Sequence, residues 1–322
     1  MPGTEPAEAC RVVLGELPEL PYLPELPARG PHADLTGRAT ALLVDLYVDL
    51  QPSGWRVTSR PGRDSRLARD LLARDLDALE ETAAQAPPAL LKVQAAGPWT
   101  LAATVELHRG DRMLADPAAV RDLTASLAEG LRLQLADLGR RLPSTTMLLQ
   151  LDEPALPAVL DARIATASGF DRIRAPDGQV ARDRLAEVLG VAPLNIIHCC
   201  TASPPVALLR AAGAGSLSLD MTQLREHDDD AIGEAVESGA GLLLGVLPAV
   251  DNAARGSGLS DLDAMIAPVA AMWRRLGFAP EELARTVVLT PTCGLAGASP
   301  GYPEMVLRAG REMGRRLREA PE

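Results

Sequence analysis

Short apolar runs alternate with longer amphipathic stretches along this chain. The apolar runs are almost continuously hydrophobic, which is typical of parallel strands that are buried on both faces. Seven of these runs predict strands, at residues 41–50, 90–95, 145–151, 193–198, 216–220, 241–246 and 286–289. The amphipathic stretches predict helices at residues 6–17, 64–85, 116–141, 182–189, 229–238, 261–276 and 303–318.

This alternation predicts an α/β fold with a parallel sheet, and its length suits a (β/α)8 TIM barrel. Such a barrel needs eight strands, whereas seven are found and the chain opens directly on a helix. The predicted fold is therefore a TIM barrel whose first strand is missing or truncated at the N-terminus. No repeat or linker divides the chain, so we expect residues 1–322 to form a single barrel domain. Proline recurs at every third position between residues 18 and 27, which predicts an extended surface connector.

Composition, charge and cysteine content limit the classes of partner and the cellular location that we expect for this protein. Aromatic residues make up 2% of the 322 residues, so the core must be aliphatic. The net charge of −11 argues against a nucleic-acid or anionic-membrane surface. No apolar run is long enough for a transmembrane helix, and the N-terminus has no signal-peptide pattern. The four cysteines do not have the spacing of a secreted disulfide framework, so we expect a reduced, cytoplasmic protein.

A His-x-Cys pair at the end of a predicted strand is the first candidate site. Side chains alternate along a strand, so His198 and Cys200 share one side. One imidazole and one thiolate supply half of a tetrahedral zinc site. Cys293 follows the last predicted strand, and Asp220 ends the strand after the His-x-Cys strand, so a barrel would bring all four to one face. The alternative is a structural cysteine and histidine buried in the core.

Two adjacent acids, Asp152 and Glu153, form the second candidate site. They stand where an apolar strand meets a proline, within Leu149-Gln150-Leu151-Asp152-Glu153-Pro154. Acids at a carboxyl end could bind the ammonium group of a substrate. The alternative is that they cap the turn that follows.

Together these motifs resemble the catalytic half of cobalamin-independent methionine synthase. The resemblance covers roughly residues 85–310 and rests on the segment 150–156, on His198-x-Cys200 and on Cys293-Gly294-Leu295, with support from Gly97-Pro98. It implies a (β/α)8 barrel and transfer of a methyl group to the thiol of homocysteine. It also implies that Asp152 holds the substrate's amino group. The implied cofactor is Zn²⁺, and its implied ligands are His198, Cys200, Asp220 and Cys293.

The chain departs from the family pattern mainly on the side of the methyl donor. The family tryptophan that stacks on folate falls near Thr104, a folate-contacting glutamate falls at Ala158, and the proton-donating histidine falls near Val250. The family's zinc-binding glutamate is Asp220 here. A second acid that helps to hold homocysteine is not evident around residues 51–54.

These departures bear on the identity of the methyl donor. A methyl group on the nitrogen of a reduced folate leaves poorly unless a general acid protonates that nitrogen, whereas a methyl group on cobalt needs no proton. We therefore predict a methionine synthase-like S-methyltransferase whose donor is methylcobalamin or a corrinoid protein rather than methyltetrahydrofolate. The alternatives are a zinc-dependent alkyl transferase acting on another thiol, and a non-catalytic barrel that binds zinc or a corrinoid.

The family resemblance also gives an expectation for the N-terminus. In the family, the first strand ends in a Gly-Ser loop that wraps the homocysteine carboxylate. Residues 1–4 resemble the tail of such a loop. We therefore expect that translation starts upstream of Met1 and that the missing strand precedes it.

Overall fold

The computed structural model describes residues 1–251, 259 and 261–319. The described strands are β1 (Tyr47–Gln51), β2 (Gly54–Thr58), β3 (Leu90–Ala96), β4 (Thr146–Asp152), β5 (Asn195–Cys199), β6 (Ser216–Asp220), β7 (Gly241–Leu247) and β8 (Val287–Pro291). Strands β3 to β8 form one curled sheet in sequential order, and each strand is parallel to its neighbour. The α/β class and the parallel sheet are therefore confirmed.

Helices connect the strands and cover the sheet. The described helices are α1 (Pro6–Glu16), α2 (Leu35–Leu42), α3 (Arg63–Ala83), α4 (Pro98–Thr104), α5 (Pro117–Arg141), α6 (Leu156–Leu160), α7 (Gly178–Leu189), α8 (Val206–Ala211), α9 (Asp229–Glu237), α10 (Leu262–Leu276), α11 (Pro280–Thr286) and α12 (Tyr302–Glu319). The core between helices and sheet is dominated by leucine, valine and alanine, as the composition predicts. No helix among the described residues is both long enough and apolar enough to cross a membrane.

The strand predicted at residues 41–50 is wrong. Its first residues end α2, which begins where the side chain of Asp34 accepts a hydrogen bond from the backbone N–H of Gly37. Its last residues belong to β1, which pairs with β2 in an antiparallel hairpin outside the parallel sheet. Asp45, with a φ of 56°, turns the chain between the two elements. One apolar run thus spans two structural elements.

The proline-rich segment lies against the sheet rather than on the surface. The backbone N–H of Leu23 donates to the carbonyl oxygen of Lys92 at 2.9 Å, and the N–H of Lys92 donates to the carbonyl oxygen of Pro21, also at 2.9 Å. Leu23 and Leu26 are buried. The prediction of a surface connector is therefore wrong for residues 21–26, whereas Pro18 and Glu19 are exposed. A proline can lie beside an edge strand because its missing N–H can face away from the pairing.

The described part of the sheet is a half-barrel. Within it, β8 pairs on one side only, with β7, and the Pro21–Leu23 segment borders β3 at the opposite end. A closed eight-stranded barrel therefore stays a prediction. So does the single domain over residues 1–322, whose last three residues lie outside the described part.

Candidate metal centre and adjoining cavity

Three of the four predicted metal ligands meet at the carboxyl ends of the strands. His198 lies on β5, Cys200 follows that strand, and Cys293 follows β8. One donor atom from each lies within 4.8 Å of the other two, and no second group of this kind occurs among the described residues. Cys199 faces the other way and is buried, as strand alternation requires.

The geometry of these donors fits zinc. The sulfur atoms of Cys200 and Cys293 are 3.8 Å apart. Two thiolates on a tetrahedral zinc, each about 2.3 Å from the metal, would be separated by about 3.8 Å. A disulfide needs a separation of about 2.0 Å. One imidazole and two thiols are also the donor types that zinc prefers, so these residues fit a zinc ion.

The three donors also influence one another's protonation. Hydrogen bonds from Cys200 and His198 hold the pKa of Cys293 well below its usual value. The hydrogen bond between the two sulfur atoms also raises the pKa of Cys200, because the protonated Cys200 thiol donates it. Burial lowers the pKa of His198, but the hydrogen bond to Cys293 and the charge of Asp152 outweigh burial and raise it overall. One thiolate therefore forms readily in this group even without a metal.

A serine on the neighbouring strand orients the imidazole. His198 Nδ1 lies 2.9 Å from the hydroxyl oxygen of Ser218 on β6. This contact occupies one ring nitrogen and leaves Nε2 for a metal. Partners of this kind fix the orientation of metal-binding histidines in proteins.

Asp220 is not part of the three-donor group. It ends β6 in a largely buried position. Its Oδ1 accepts hydrogen bonds from the backbone N–H of Thr222 at 2.9 Å and from the Thr222 hydroxyl at 2.7 Å. Ligation of a metal by Asp220 therefore stays a prediction.

Asp152 lies in the wall of the cavity beside the metal ligands. It is paired in register with His198 across β4 and β5, and its Oδ1 accepts a hydrogen bond from the side-chain amide of Gln150 at 2.7 Å. Burial raises the pKa of Asp152, while the charges of His198 and Lys92 oppose that rise. Asp152 thus presents a carboxyl group to any ligand that reaches the metal ligands.

Glu153 has different surroundings, although it is the next residue. Its carboxylate accepts hydrogen bonds from the backbone N–H groups of Trp99 and Thr100, at 2.9 and 2.7 Å, and from the Thr100 hydroxyl at 2.7 Å. It therefore satisfies the first turn of α4 and does not line the cavity. Burial raises the pKa of Glu153 to about 7, although the hydrogen bonds from Thr100 and Trp99 oppose the rise.

The Gly97-Pro98 motif belongs to this same arrangement. A Cβ atom on Gly97 would lie 2.3 Å from Glu153 Oε1, which is too close for any side chain. Pro98 begins α4, where its missing N–H costs nothing. The motif therefore makes room for the buried carboxylate that caps α4.

Glu25 is a cavity residue that the sequence analysis missed. It lies within the proline-rich segment, between Pro24 and Pro27, and lines the cavity together with Asp152. Burial raises its pKa, and the charge of Arg38, whose Nε lies 3.4 Å from Glu25 Oε1, opposes this. A second acid therefore stands here rather than around residues 51–54. Only the pairing of residues 21–23 with β3, a long-range feature, reveals its position.

The cavity itself has a volume of about 650 Å³. The metal ligands and Asp152 lie in its wall, and the side chains of β8 and α12 supply much of the apolar lining. This volume lies within the usual range of small-molecule sites. Lys92 and Gln94 of β3 also line the cavity and were not singled out as site residues by the sequence.

Three positions correspond to folate-contacting residues of the family, and this chain has neither an acidic nor an aromatic side chain at any of them. Thr104 ends α4, and its hydroxyl donates to the carbonyl oxygen of Thr100 at 2.8 Å. Ala158 lies in α6, and Val250 is 52% exposed beyond β7. None of these three side chains offers an acid or an aromatic ring.

Comparison with known proteins relates the fold to a solved enzyme. A structure of a B12-independent methionine synthase from Shewanella sp. W3-18-1, in complex with selenomethionine, matches with a TM-score of 0.52. The sequences are 13% identical over 76% of this chain and 66% of the other, so this chain spans less than two thirds of that protein. The sequence matches no protein-family model and no curated protein. At this identity the likeness supports a related fold alone.

Proposed function

We propose that this chain is a zinc-dependent methyltransferase that transfers a methyl group to the thiol of homocysteine and so forms methionine. The observation that carries the proposal is the convergence of His198, Cys200 and Cys293 within 4.8 Å, beside Asp152 in one cavity. The likeness of the fold to that of a methionine synthase supports it.

The donor set favours a zinc site with an open position. Three protein donors plus one free position are typical of catalytic zinc, and a zinc ion held here would stabilise the substrate sulfur as a thiolate at neutral pH. The protein's own residues would hold the rest of the substrate. Asp152 faces the cavity from a fixed position, because Gln150 donates to its carboxylate, and it would bind the substrate ammonium. Glu25 supplies a second carboxyl group in the same cavity. We assign Glu153 to the positioning of α4.

We further propose methylcobalamin or a corrinoid protein as the methyl donor, in preference to methyltetrahydrofolate. In the reaction, a carbon–sulfur bond forms, the carbon–cobalt bond breaks, and its electron pair stays on cobalt, while the thiol proton passes to solvent. A folate donor would instead break a carbon–nitrogen bond, and the leaving nitrogen would need a proton from a general acid. The side chains of Thr104, Ala158 and Val250 supply neither this acid nor a ring on which a pterin could stack.

Two alternatives lead to different observations. A non-catalytic zinc site would be closed by a fourth protein ligand, and Asp220 is the candidate. The close grouping of three donors without Asp220 favours the open site instead. An alkyl transferase acting on another thiol would keep the metal site, and competition by homocysteine against that thiol would distinguish it.

Two measurements test the proposal. The first is the zinc content of the purified protein and of the variants Cys293→Ala and Cys199→Ala. We expect about one zinc per chain, loss of zinc in Cys293→Ala, and retention in Cys199→Ala, whose sulfur lies outside the three-donor group. Equal zinc content in the two variants would contradict the site.

The second measurement is homocysteine methylation with methylcobalamin and with methyltetrahydrofolate in parallel. We expect turnover with methylcobalamin. Turnover with the folate and none with methylcobalamin would overturn the proposed donor but not the zinc site.

A further inference from the structure

Lys92 is the one lysine of the sequence, and it lies in the wall of the cavity. Among the described residues, no carboxylate oxygen lies within 4.0 Å of its ammonium group. Two arginines also line the cavity, but both have an acidic partner. Arg311 lies 3.9 Å from Glu16, and Arg318 lies 3.8 Å from Glu19. Burial lowers the pKa of Lys92, and the charges of Asp152 and Glu25 oppose that fall and favour the ammonium form. Lys92 is therefore a cavity amine that two acids hold charged from a distance, without a close ion pair.

The ammonium group of Lys92 also retains most of its hydrogen-bonding capacity. Its one hydrogen bond to a side chain is long, at 3.5 Å, to Oε1 of Gln94. Its other close neighbour is the ring of Tyr22, whose centre lies 5.3 Å from Nζ. An ammonium group has three donors, and an aromatic face satisfies none of them with an oxygen. Donors thus remain for a ligand.

Gln94 lies beside Lys92 on the cavity side of β3. Its side-chain N–H donates to the backbone carbonyl oxygen of Leu23 at 2.7 Å, which fixes the amide so that Oε1 faces Lys92. Both Lys92 and Gln94 point to the cavity side of β3 because they are two residues apart on one strand. Lys92 and Gln94 therefore face the cavity together.

An α-amino acid carries one ammonium and one carboxylate group on the same carbon. Asp152 and Lys92 line the same cavity as the three metal donors, and the charges of Asp152 and Lys92 act on one another. The cavity therefore offers Asp152 for the first of these groups and Lys92 for the second. We propose that Lys92 binds the α-carboxylate of the substrate and makes the site selective for zwitterionic amino-acid thiols. This inference rests on the proposed function and adds a specificity-determining residue to it.

The opposing explanation is that Lys92 only balances the negative charges of Glu25 and Asp152 and does not contact the substrate. A counter-ion of that kind would affect every ligand that meets the two acids, whether or not the ligand has a carboxylate. A carboxylate receptor would affect only ligands that carry one. The two accounts therefore differ in how they depend on the ligand.

The test is a binding experiment on the zinc-loaded protein by titration calorimetry, without a methyl donor. The probes are homocysteine, 3-mercaptopropylamine, which lacks the carboxylate, and 4-mercaptobutanoate, which lacks the ammonium group. The variants are Lys92→Met, which removes the charge, and Lys92→Arg, which keeps it. Zinc content and the thermal midpoint of each variant report whether it folds.

We expect wild-type protein to bind homocysteine more tightly than 3-mercaptopropylamine. Lys92→Met should weaken homocysteine binding about 10- to 100-fold, in line with the loss of a hydrogen bond to a charged group. It should change 3-mercaptopropylamine binding by clearly less than this, since Lys92 acts on that probe only through the charge of Asp152. Lys92→Arg should lie closer to wild type. If Lys92→Met does not fold, Lys92→Gln, which also removes the charge but keeps a polar end, is judged by the same comparison of the two thiols.

The results that overturn the inference are equal losses for the two thiols in Lys92→Met, or equal affinity for them in wild type. Failure of the proposed function looks different. In that case none of the three thiols binds to the zinc-loaded protein, and the function and the inference fall together.

Discussion

The separation of roles between Asp152 and Glu153 gives a prediction that the structure makes quantitative. We consider Glu153→Gln, which keeps the shape of the side chain but replaces one carboxylate oxygen by an NH2 group. The wild-type carboxylate accepts from two backbone N–H groups and one hydroxyl at the start of α4. The Thr100 hydroxyl can turn and accept from the new NH2 group, but one backbone N–H must lose its acceptor.

A buried backbone N–H without an acceptor costs about 1–3 kcal/mol. Burial, which raises the pKa of Glu153, also disfavours the charge that glutamine removes, and this offsets part of that cost. We therefore expect Glu153→Gln to lower the free energy of unfolding by about 1 kcal/mol and the thermal midpoint by roughly 2 °C. The assay is thermal unfolding followed by circular dichroism at pH 8, where the carboxyl group, with its pKa of about 7, is mostly ionised. Zinc content should not change, because Glu153 lies outside the metal group.

Asp152→Asn is the matched control for this prediction. Asparagine can still accept the hydrogen bond from Gln150 through its oxygen, and burial already disfavours the charge of Asp152. We expect its thermal midpoint to stay within about 1 °C of wild type, while homocysteine binding weakens. An unchanged midpoint in Glu153→Gln, or an equal drop in both variants, would refute this assignment of roles.

Three further predictions follow from contacts around the site. Gly97→Ala should destabilise the fold by more than about 2 kcal/mol, because its Cβ would lie 2.3 Å from Glu153 Oε1. A near-neutral effect in chemical denaturation would contradict this close approach. Ser218→Ala should reduce zinc affinity about 10-fold by freeing the ring of His198, and a chelator competition that gives wild-type affinity would argue against this role. In zinc-free protein at pH 6, iodoacetamide should modify Cys293 faster than Cys10. Hydrogen bonds from Cys200 and His198 lower the pKa of Cys293, whereas burial raises the pKa of Cys10 to about 12. A lowered thiol pKa means that the thiolate persists as the pH falls, so peptide mapping that finds Cys293 no more reactive than Cys10 would contradict the geometry.

The strands of the parallel sheet could be predicted because each is one apolar run between helical patterns. Residues 41–50 could not, because an apolar run has no mark where a helix ends and a hairpin begins. That boundary depends on Asp45, which turns the chain with a positive φ. The proline-rich segment shows the related limit, since proline spacing indicates an extended chain but not what that chain packs against.

The candidate site could likewise be predicted only in part from the sequence. Alternation along β5 and the positions of Cys293 after β8 and of Asp220 at the end of β6 predicted four metal ligands. The structure groups three of them, without Asp220. Local pattern could not find Glu25 and Lys92, because they meet only when residues 21–23 pair with β3. It also could not separate Asp152 from Glu153. Their different surroundings depend on α4, more than 50 residues away along the chain.

X-ray absorption at the zinc edge, before and after addition of homocysteine, tests the central claim most directly. The account predicts a zinc ion with two sulfur ligands, from Cys200 and Cys293, and a third sulfur ligand when homocysteine is added. A protein that holds no zinc, or whose zinc environment gains no sulfur upon addition of homocysteine, would contradict it.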